Sequence, residues 1–345
     1  MPGMPLYRRI PVVLAIALLA AACKSSVDPG PTPPPGTPPI VCSAPFKVGF
    51  RVVTIGTGRK MGVWYPTSDT EAPLQYASEA AGTAARNGAA AACGRLPVVV
   101  FSHGFHGCGT QSVFFTEQTA RRGYIVAAPD HLDAVCSVDG MGSAEPTAVD
   151  LSFGSPETWT DATYRDRRDD LVSAIDWLLT SAELGGQVDS GRIGVAGHSL
   201  GGYTAIGIAG GWASWLDSRI RLALAFSPYI QPFLTPGRSV AVGVPVMFQG
   251  GTFDIGITPS LRGSTGAYAL SRTPKYYAEL VGAGHFEWTN FACRGAASVA
   301  ACLQSSSNAR LIDDYSIAFL DAFLKGEGGS LAQLNGAGLA AYLHE

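Results

Sequence analysis

The residues most able to do chemistry lie in Gly197-His198-Ser199-Leu200-Gly201-Gly202, which follows the apolar run Arg192–Ala196 and opens a helical pattern. A strand that reverses into a helix within so few residues leaves Ser199 at a sharp tip, and its neighbours two places away must lack side chains. Gly197 and Gly201 meet that demand. A serine hydroxyl is a weak nucleophile at neutral pH, so it needs a base, and the base needs an orienting acid. Of the six histidines, His103, His106 and His131 precede the serine, His198 is inside the elbow and His344 is in the tail. His285, in a glycine-rich loop after a late apolar run, is the expected base. Asp254, in Gln249-Gly-Gly-Thr-Phe-Asp254, is the expected acid, with Asp217, Glu287 and Asp313 as competing carboxylates. The chain order Ser199, Asp254, His285 is the one a strand–elbow–helix nucleophile requires. Taken singly, Asp254 reads as a turn former and His285 as a loop histidine; only together do they make a case for catalysis.

Acyl transfer through a serine builds negative charge on an oxygen, which two backbone N–H groups must receive. Leu200, at the start of the helix after Ser199, offers one. The loop His103-Gly104-Phe105-His106-Gly107 should supply the other, from Phe105 or, failing that, from His106. Read without chemistry, the same loop is a glycine turn.

These residues need a scaffold that brings distant loops together. Leu96–Ser102, Gly123–Ala128, Arg192–Ala196, Leu222–Phe226, Val244–Phe248 and Lys275–Val281 are short apolar runs of the kind buried on both faces of a parallel sheet. Phe46–Ile55 and Lys60–Pro66 read as an antiparallel pair turning at Gly56 and Gly58. Helical spacing is expected over Gln111–Arg122, Asp161–Ser181, Leu200–Ala209 and Ile312–Leu324; Arg165, Asp166, Arg168 and Asp169 read as a solvated face. Alternation of strand and helix predicts one α/β domain with a doubly wound, mostly parallel sheet. The stretch 131–160 has no periodicity and is expected to be a loop insertion, covering a site or pinned by Cys136.

The 345 residues are 47% hydrophobic and 15% charged, with a net charge of −3, which excludes disorder over most of the length and offers no basic field for nucleic acid. Residues 1–22 read as a signal peptide: Arg8 and Arg9 precede the apolar run Pro11–Ala22, about 12 residues and too short to span a bilayer. Leu19-Ala-Ala-Ala-Cys23 resembles a bacterial lipobox, so Cys23 is the expected lipidation site. By resemblance to bacterial sorting rules, Lys24 after it favours an exported, outer-membrane lipoprotein, the alternative being a periplasmic or secreted protein. Residues 23–41, rich in proline, form the expected tether, and 42–345 the catalytic domain. Cys42, Cys93, Cys108, Cys136, Cys293 and Cys302 are disulfide candidates in an exported chain, with Cys293 and Cys302 the most local pair. No spacing suited to a metal is present, and no cofactor is expected.

On these motifs the chain resembles the α/β-hydrolase superfamily over about 95–326. The segments Val98–Gly104, Arg121–Asp130 and Gly197–Gly202 look like the branch that holds platelet-activating-factor acetylhydrolases, dienelactone-hydrolase-like esterases and bacterial cutinase-like polyester hydrolases. The resemblance implies that Phe105 gives the oxyanion N–H while its ring contacts substrate, and that Tyr229, after Pro228, is a second substrate contact. Ser102-His103-Gly104 in place of Ser-Pro-Gly, and the longer insertion, set the chain apart from the polyester hydrolases. Ser199 argues against the cysteine chemistry of dienelactone hydrolases proper. The expected function is a serine carboxylic-ester hydrolase acting on short- to medium-chain esters, with a small-molecule or lipid ester as partner and membrane attachment only through the N-terminal lipid. The alternatives are a lipase, a phospholipid-deacylating or polyester hydrolase, a peptidase ranking below these, and, from another class, an inactive surface binding lipoprotein.

Overall fold

In the computed structural model the described residues are 3, 42–77, 80–135, 153–236, 238 and 240–345. The expected leader, tether, Cys23 and Cys136 lie outside them. Eleven strands form one sheet in the order β11-β10-β9-β8-β7-β5-β6-β2-β1-β4-β3. These are β1 Lys47–Thr54, β2 Lys60–Thr67, β3 Ala72–Ala77, β4 Ala80–Arg86, β5 Leu96–Ser102, β6 Ile125–Pro129, β7 Val188–His198, β8 Ile220–Phe226, β9 Val246–Gly251, β10 Lys275–Leu280 and β11 Leu339–His344. The six from β6 to β10 in that order are parallel to their neighbours. The antiparallel pairs β1–β2, β2–β6, β3–β4 and β10–β11 occupy the flanks. This is the α/β-hydrolase fold in a single domain.

Alternate side chains of the central strands enter opposite cores. On β5, Val98 and Val100 face the layer holding Leu171, Ile175 and Leu178 of α2 (Arg165–Thr180) and Leu200 and Tyr203 of α3 (Leu200–Ile206). Val99 and Phe101 face the layer holding Phe114 and Phe115 of α1 (Val113–Arg121), and Ile312 and Phe319 of α7 (Ser307–Leu320). A strand buried on both faces has no polar side, hence the continuous apolar runs.

Register aligns the carboxyl ends: Ser102 pairs with Gly197, His198 with Phe226, Phe226 with Gln249 and Gly251 with Leu280. Loops leaving these ends must meet, the usual place for a site in an open parallel sheet.

Several boundaries differ from the sequence expectation. α2 begins at Arg165 rather than Asp161, because residues 161–164 make turns and Tyr164 takes a left-handed φ of 57°. α3 ends at Ile206 and passes into a wide turn over Gly207–Gly211, where Gly210 has φ 121°. β3, β4, β11 and the helices α4 (Thr258–Arg262), α5 (Ala267–Leu270) and α6 (Val299–Ser305) were not anticipated. Alanine dominates β3 and β4, which leaves little β-branched signal to read.

Cys42 is bonded to Cys93 and Cys293 to Cys302, with Cα separations of 5.3 and 5.0 Å. Cys108 is also disulfide-bonded. No helix among the described residues is long and apolar enough to cross a membrane.

Candidate active site

Ser199 occupies a strained backbone position, φ 54° and ψ −117°, between β7 and α3. The tightness of the turn explains its glycines. A Cβ on Gly197 would lie 2.2 Å from the Gly201 carbonyl oxygen, and one on Gly201 would lie 1.9 Å from that of Ser102. The elbow is tied to the neighbouring strand by Ser199 N–H donating to Phe226 O at 3.0 Å and Tyr229 N–H donating to Ser199 O at 2.9 Å.

The structure brings Ser199, His285 and Asp254 together. His285 Nε2 is 2.9 Å from Ser199 Oγ, and His285 Nδ1 is 2.8 Å from Asp254 Oδ2. Asp254 is 5% exposed, so its carboxylate is shielded, while the His285 side chain is 28% exposed and open to solvent on one edge. The competing carboxylates are placed elsewhere. Asp217 pairs with Arg219, Asp313 is buried in α7, and Glu287 bonds neither ring nitrogen of His285.

Ser227, at the end of β8, is a member that sequence reading missed. Its hydroxyl donates to Asp254 Oδ2 and lies 3.0 Å from His285 Nδ1. Its φ of 39° is left-handed, so the backbone is bent to aim that hydroxyl. The only clue in sequence was position, one strand over from the elbow and just past an apolar run.

Phe105 and Leu200, the expected oxyanion donors, both lie next to the elbow in the chain or across it. Gly104 packs so closely on the elbow that a Cβ there would be 3.4 Å from Ser199 Cβ. The amides of Phe105 and Leu200 find no acceptor among the described residues, whereas His106 N–H donates to Asp133 Oδ2 at 3.0 Å. That engagement removes His106 as the alternative donor.

His198, passed over as the elbow's second residue, joins two loops. Gly104 N–H donates to Gln111 Oε1 at 2.9 Å, Gln111 Nε2 lies 3.0 Å from His198 Nδ1, and His198 Nε2 lies 2.8 Å from the His285 carbonyl oxygen. Donation to that carbonyl fixes the proton on Nε2. Burial, followed by the nearby His285, pulls the His198 pKa down to about 3, so the ring is neutral.

Beneath the 103–107 loop lies a buried ionic clamp. Arg167 is fully buried and donates to both oxygens of Asp133 at 2.8 and 2.7 Å, to His103 O at 2.7 Å and to Gly104 O at 3.1 Å. Burial opposes the charge on Asp133, but the Arg167 guanidinium, through its charge and its hydrogen bonds, holds the carboxyl well below the usual range. Arg167 is one turn before Leu171 and in line with Ala174 and Leu178, so a charge on an apolar helical face was the available signal. Beside the clamp, Ser102 Oγ, His131 and Asp170 form a second Ser–His–Asp sequence of contacts, each 2.9 Å. It is buried throughout, which excludes it from reaching substrate. Burial depresses the pKa of His131 and pushes Asp170 up to about 7, so the imidazole there is neutral.

Tyr229 is 6% exposed and its hydroxyl donates to the Phe153 carbonyl. No cluster of three or more metal-ligating groups occurs among the described residues.

A profile of the PET hydrolase-like family matches residues 75–324, well over half of the chain. The chain belongs to that family. That family falls in the α/β-hydrolase superfamily, in the esterase branch the motifs suggested. It is similar to platelet-activating factor acetylhydrolase from Cavia porcellus, 25% identical over 162 residues, covering 40% of this chain and 36% of that protein. It is also similar to bis(hydroxyethyl) terephthalate hydrolase from Streptomyces coelicolor, 28% identical over 186 residues, covering 52% of this chain and 56% of that protein. The chain thus spans about a third of the first relative and little more than half of the second. A solved ferulic acid esterase from Streptomyces cinnamoneus has the same fold, with a TM-score of 0.62 at 22% identity, covering 82% of this chain and 91% of that one.

Proposed function

We propose that this PET hydrolase-like chain is a serine carboxylic-ester hydrolase that works through an acyl-enzyme on Ser199. The observation that carries the reading is the unbroken contact series from Ser199 Oγ through His285 to Asp254. In the first step Ser199 Oγ attacks the ester carbonyl carbon as His285 Nε2 takes the hydroxyl proton. Asp254, with Ser227 donating to it, holds His285 and balances the imidazolium charge. The carbonyl oxygen becomes an oxyanion received by Phe105 and Leu200 N–H. Collapse expels the alkoxide, which His285 protonates as it leaves. Water then attacks the acyl-enzyme with His285 again as base, releasing the carboxylic acid and restoring Ser199. These steps proceed on the chain's own residues.

Short- to medium-chain esters are the assigned substrates. A second reading, hydrolysis of aromatic esters or polyesters, draws on the family profile and on the relative named for bis(hydroxyethyl) terephthalate. The leader and Leu19–Cys23 motif support export as a lipid-anchored protein, with Cys23 lipidated.

The test is hydrolysis of p-nitrophenyl esters from acetate to palmitate by residues 24–345 and by Ser199→Ala. Turnover highest on short chains and abolished in the variant is the expected result. Turnover that survives in Ser199→Ala would overturn the mechanism, and a maximum at palmitate would overturn the substrate assignment.

A further inference from the structure

Phe153 holds a position that no catalytic step requires. Its ring lies 5.2 Å from that of Phe105 and 4.9 Å from that of Tyr229, edge-on to both, and 5.4 Å from that of Trp159. Phe105 and Tyr229 are themselves fixed to the nucleophile. Phe105 follows Gly104, which abuts Ser199, and the Tyr229 amide donates to the Ser199 carbonyl. The two rings flanking Phe153 are therefore carried by residues whose backbone adjoins the nucleophile. The Tyr229 hydroxyl, donating to the Phe153 carbonyl, fastens Phe153 between them.

We infer that Phe153 is the residue that sets acyl specificity, by filling with its own phenyl ring the seat an aromatic acyl group would take. The proposal rests on the hydrolase reading of Ser199. In that mechanism the alcohol leaves against His285, which protonates it, and the acyl group is assigned to the side of Phe105 and Tyr229, whose backbone adjoins Ser199. Aromatic rings favour edge-to-face neighbours at 4.5–7 Å, and the rings around Phe153 already present that geometry. A benzoyl group carries the same six-carbon ring as phenylalanine. With the Phe153 ring in place a small acyl group fits and an aryl group is excluded. With it removed, the cavity left is lined by Phe105, Trp159, Tyr164 and Tyr229, and apolar cavities of this kind stay dry and accept an aromatic guest.

The experiment compares kcat/KM for p-nitrophenyl benzoate and p-nitrophenyl acetate in the wild-type protein, Phe153→Ala and Phe153→Leu. The benzoate-to-acetate ratio is expected to rise at least tenfold in Phe153→Ala and to a lesser degree in Phe153→Leu. A ratio within twofold of wild type in a variant that keeps its melting transition overturns the inference. Phe153→Leu, which retains most of the apolar bulk, carries the same decision if Phe153→Ala does not fold. Inhibition by phenylboronic against methylboronic acid reads the seat without turnover, and an unchanged ratio of inhibition constants in the folded variant also counts against it. Loss of Ser199 dependence in the wild-type protein would instead defeat the hydrolase reading, so the two failures are distinct.

Discussion

Cutting the Arg167–Asp133 pair tests whether the loop that presents Phe105 is held from below by a buried charge pair. Arg167 is fully buried and makes two bonds to Asp133 and two to loop carbonyls. Asp133→Asn leaves the guanidinium without its counter-charge, and Arg167→Met leaves the carboxylate without its own. Removing one partner of a buried pair costs about 3–5 kcal/mol, most of it from the orphaned charge. The double variant Arg167→Met/Asp133→Leu has no orphaned charge and keeps only the weaker cost of unpaired loop carbonyls, about 1–3 kcal/mol each. It should therefore be no less stable than either single variant, a coupling of roughly 3 kcal/mol or more against additivity. Urea unfolding at pH 7, followed by tryptophan fluorescence, measures all four proteins. In whichever variants fold, displacement of the Phe105 amide should lower kcat on an acetate ester by about 10²-fold, with a smaller change in KM. Single variants that each lose under 1 kcal/mol, or losses that add within about 0.5 kcal/mol, would refute the reasoning.

Ser227→Ala removes the hydroxyl that donates to Asp254. It should lower kcat/KM about tenfold through kcat, the equivalent of about 1.4 kcal/mol, without shifting the melting transition by more than a few degrees. Gln111→Ala breaks the chain from Gly104 to His198, and steady-state kinetics should show a fall in kcat that exceeds any change in KM; an effect confined to KM would contradict the positioning role. Asp313 is buried with one oxygen lacking a partner among the described residues, and burial raises its pKa well above 3.8. A raised folded-state value gives stability that is present at low pH and lost as pH climbs above about 4. Asp313→Asn should therefore gain on the wild type by about 1.4 kcal/mol per pH unit above that point, until the native carboxyl ionises. Urea midpoints for the two proteins from pH 4 to 8 check the slope.

The central fold was legible because strands buried on both faces must be apolar along their length, as 96–101 and 222–226 are. The elbow was legible because Gly197 and Gly201 have no room for a Cβ. Asp254 and His285 followed from chain order. Ser227 did not, since a lone serine after a strand carries no pattern of its own. Arg167 and Asp133 were hidden for a different reason. They are 34 residues apart and meet only in the folded chain. The alanine-rich β3 and β4 gave no propensity signal, and Phe153 sat in a stretch without periodicity.

Intact-mass and peptide analysis after exposure to a fluorophosphonate tests the central claim most directly, since an activated hydroxyl displaces fluoride from phosphorus and an ordinary serine does not. One adduct per chain, located on Ser199, formed in step with loss of esterase activity and absent from His285→Ala, is the predicted result. An adduct on another residue that abolishes activity, or continued hydrolysis once Ser199 is fully modified, would contradict the account.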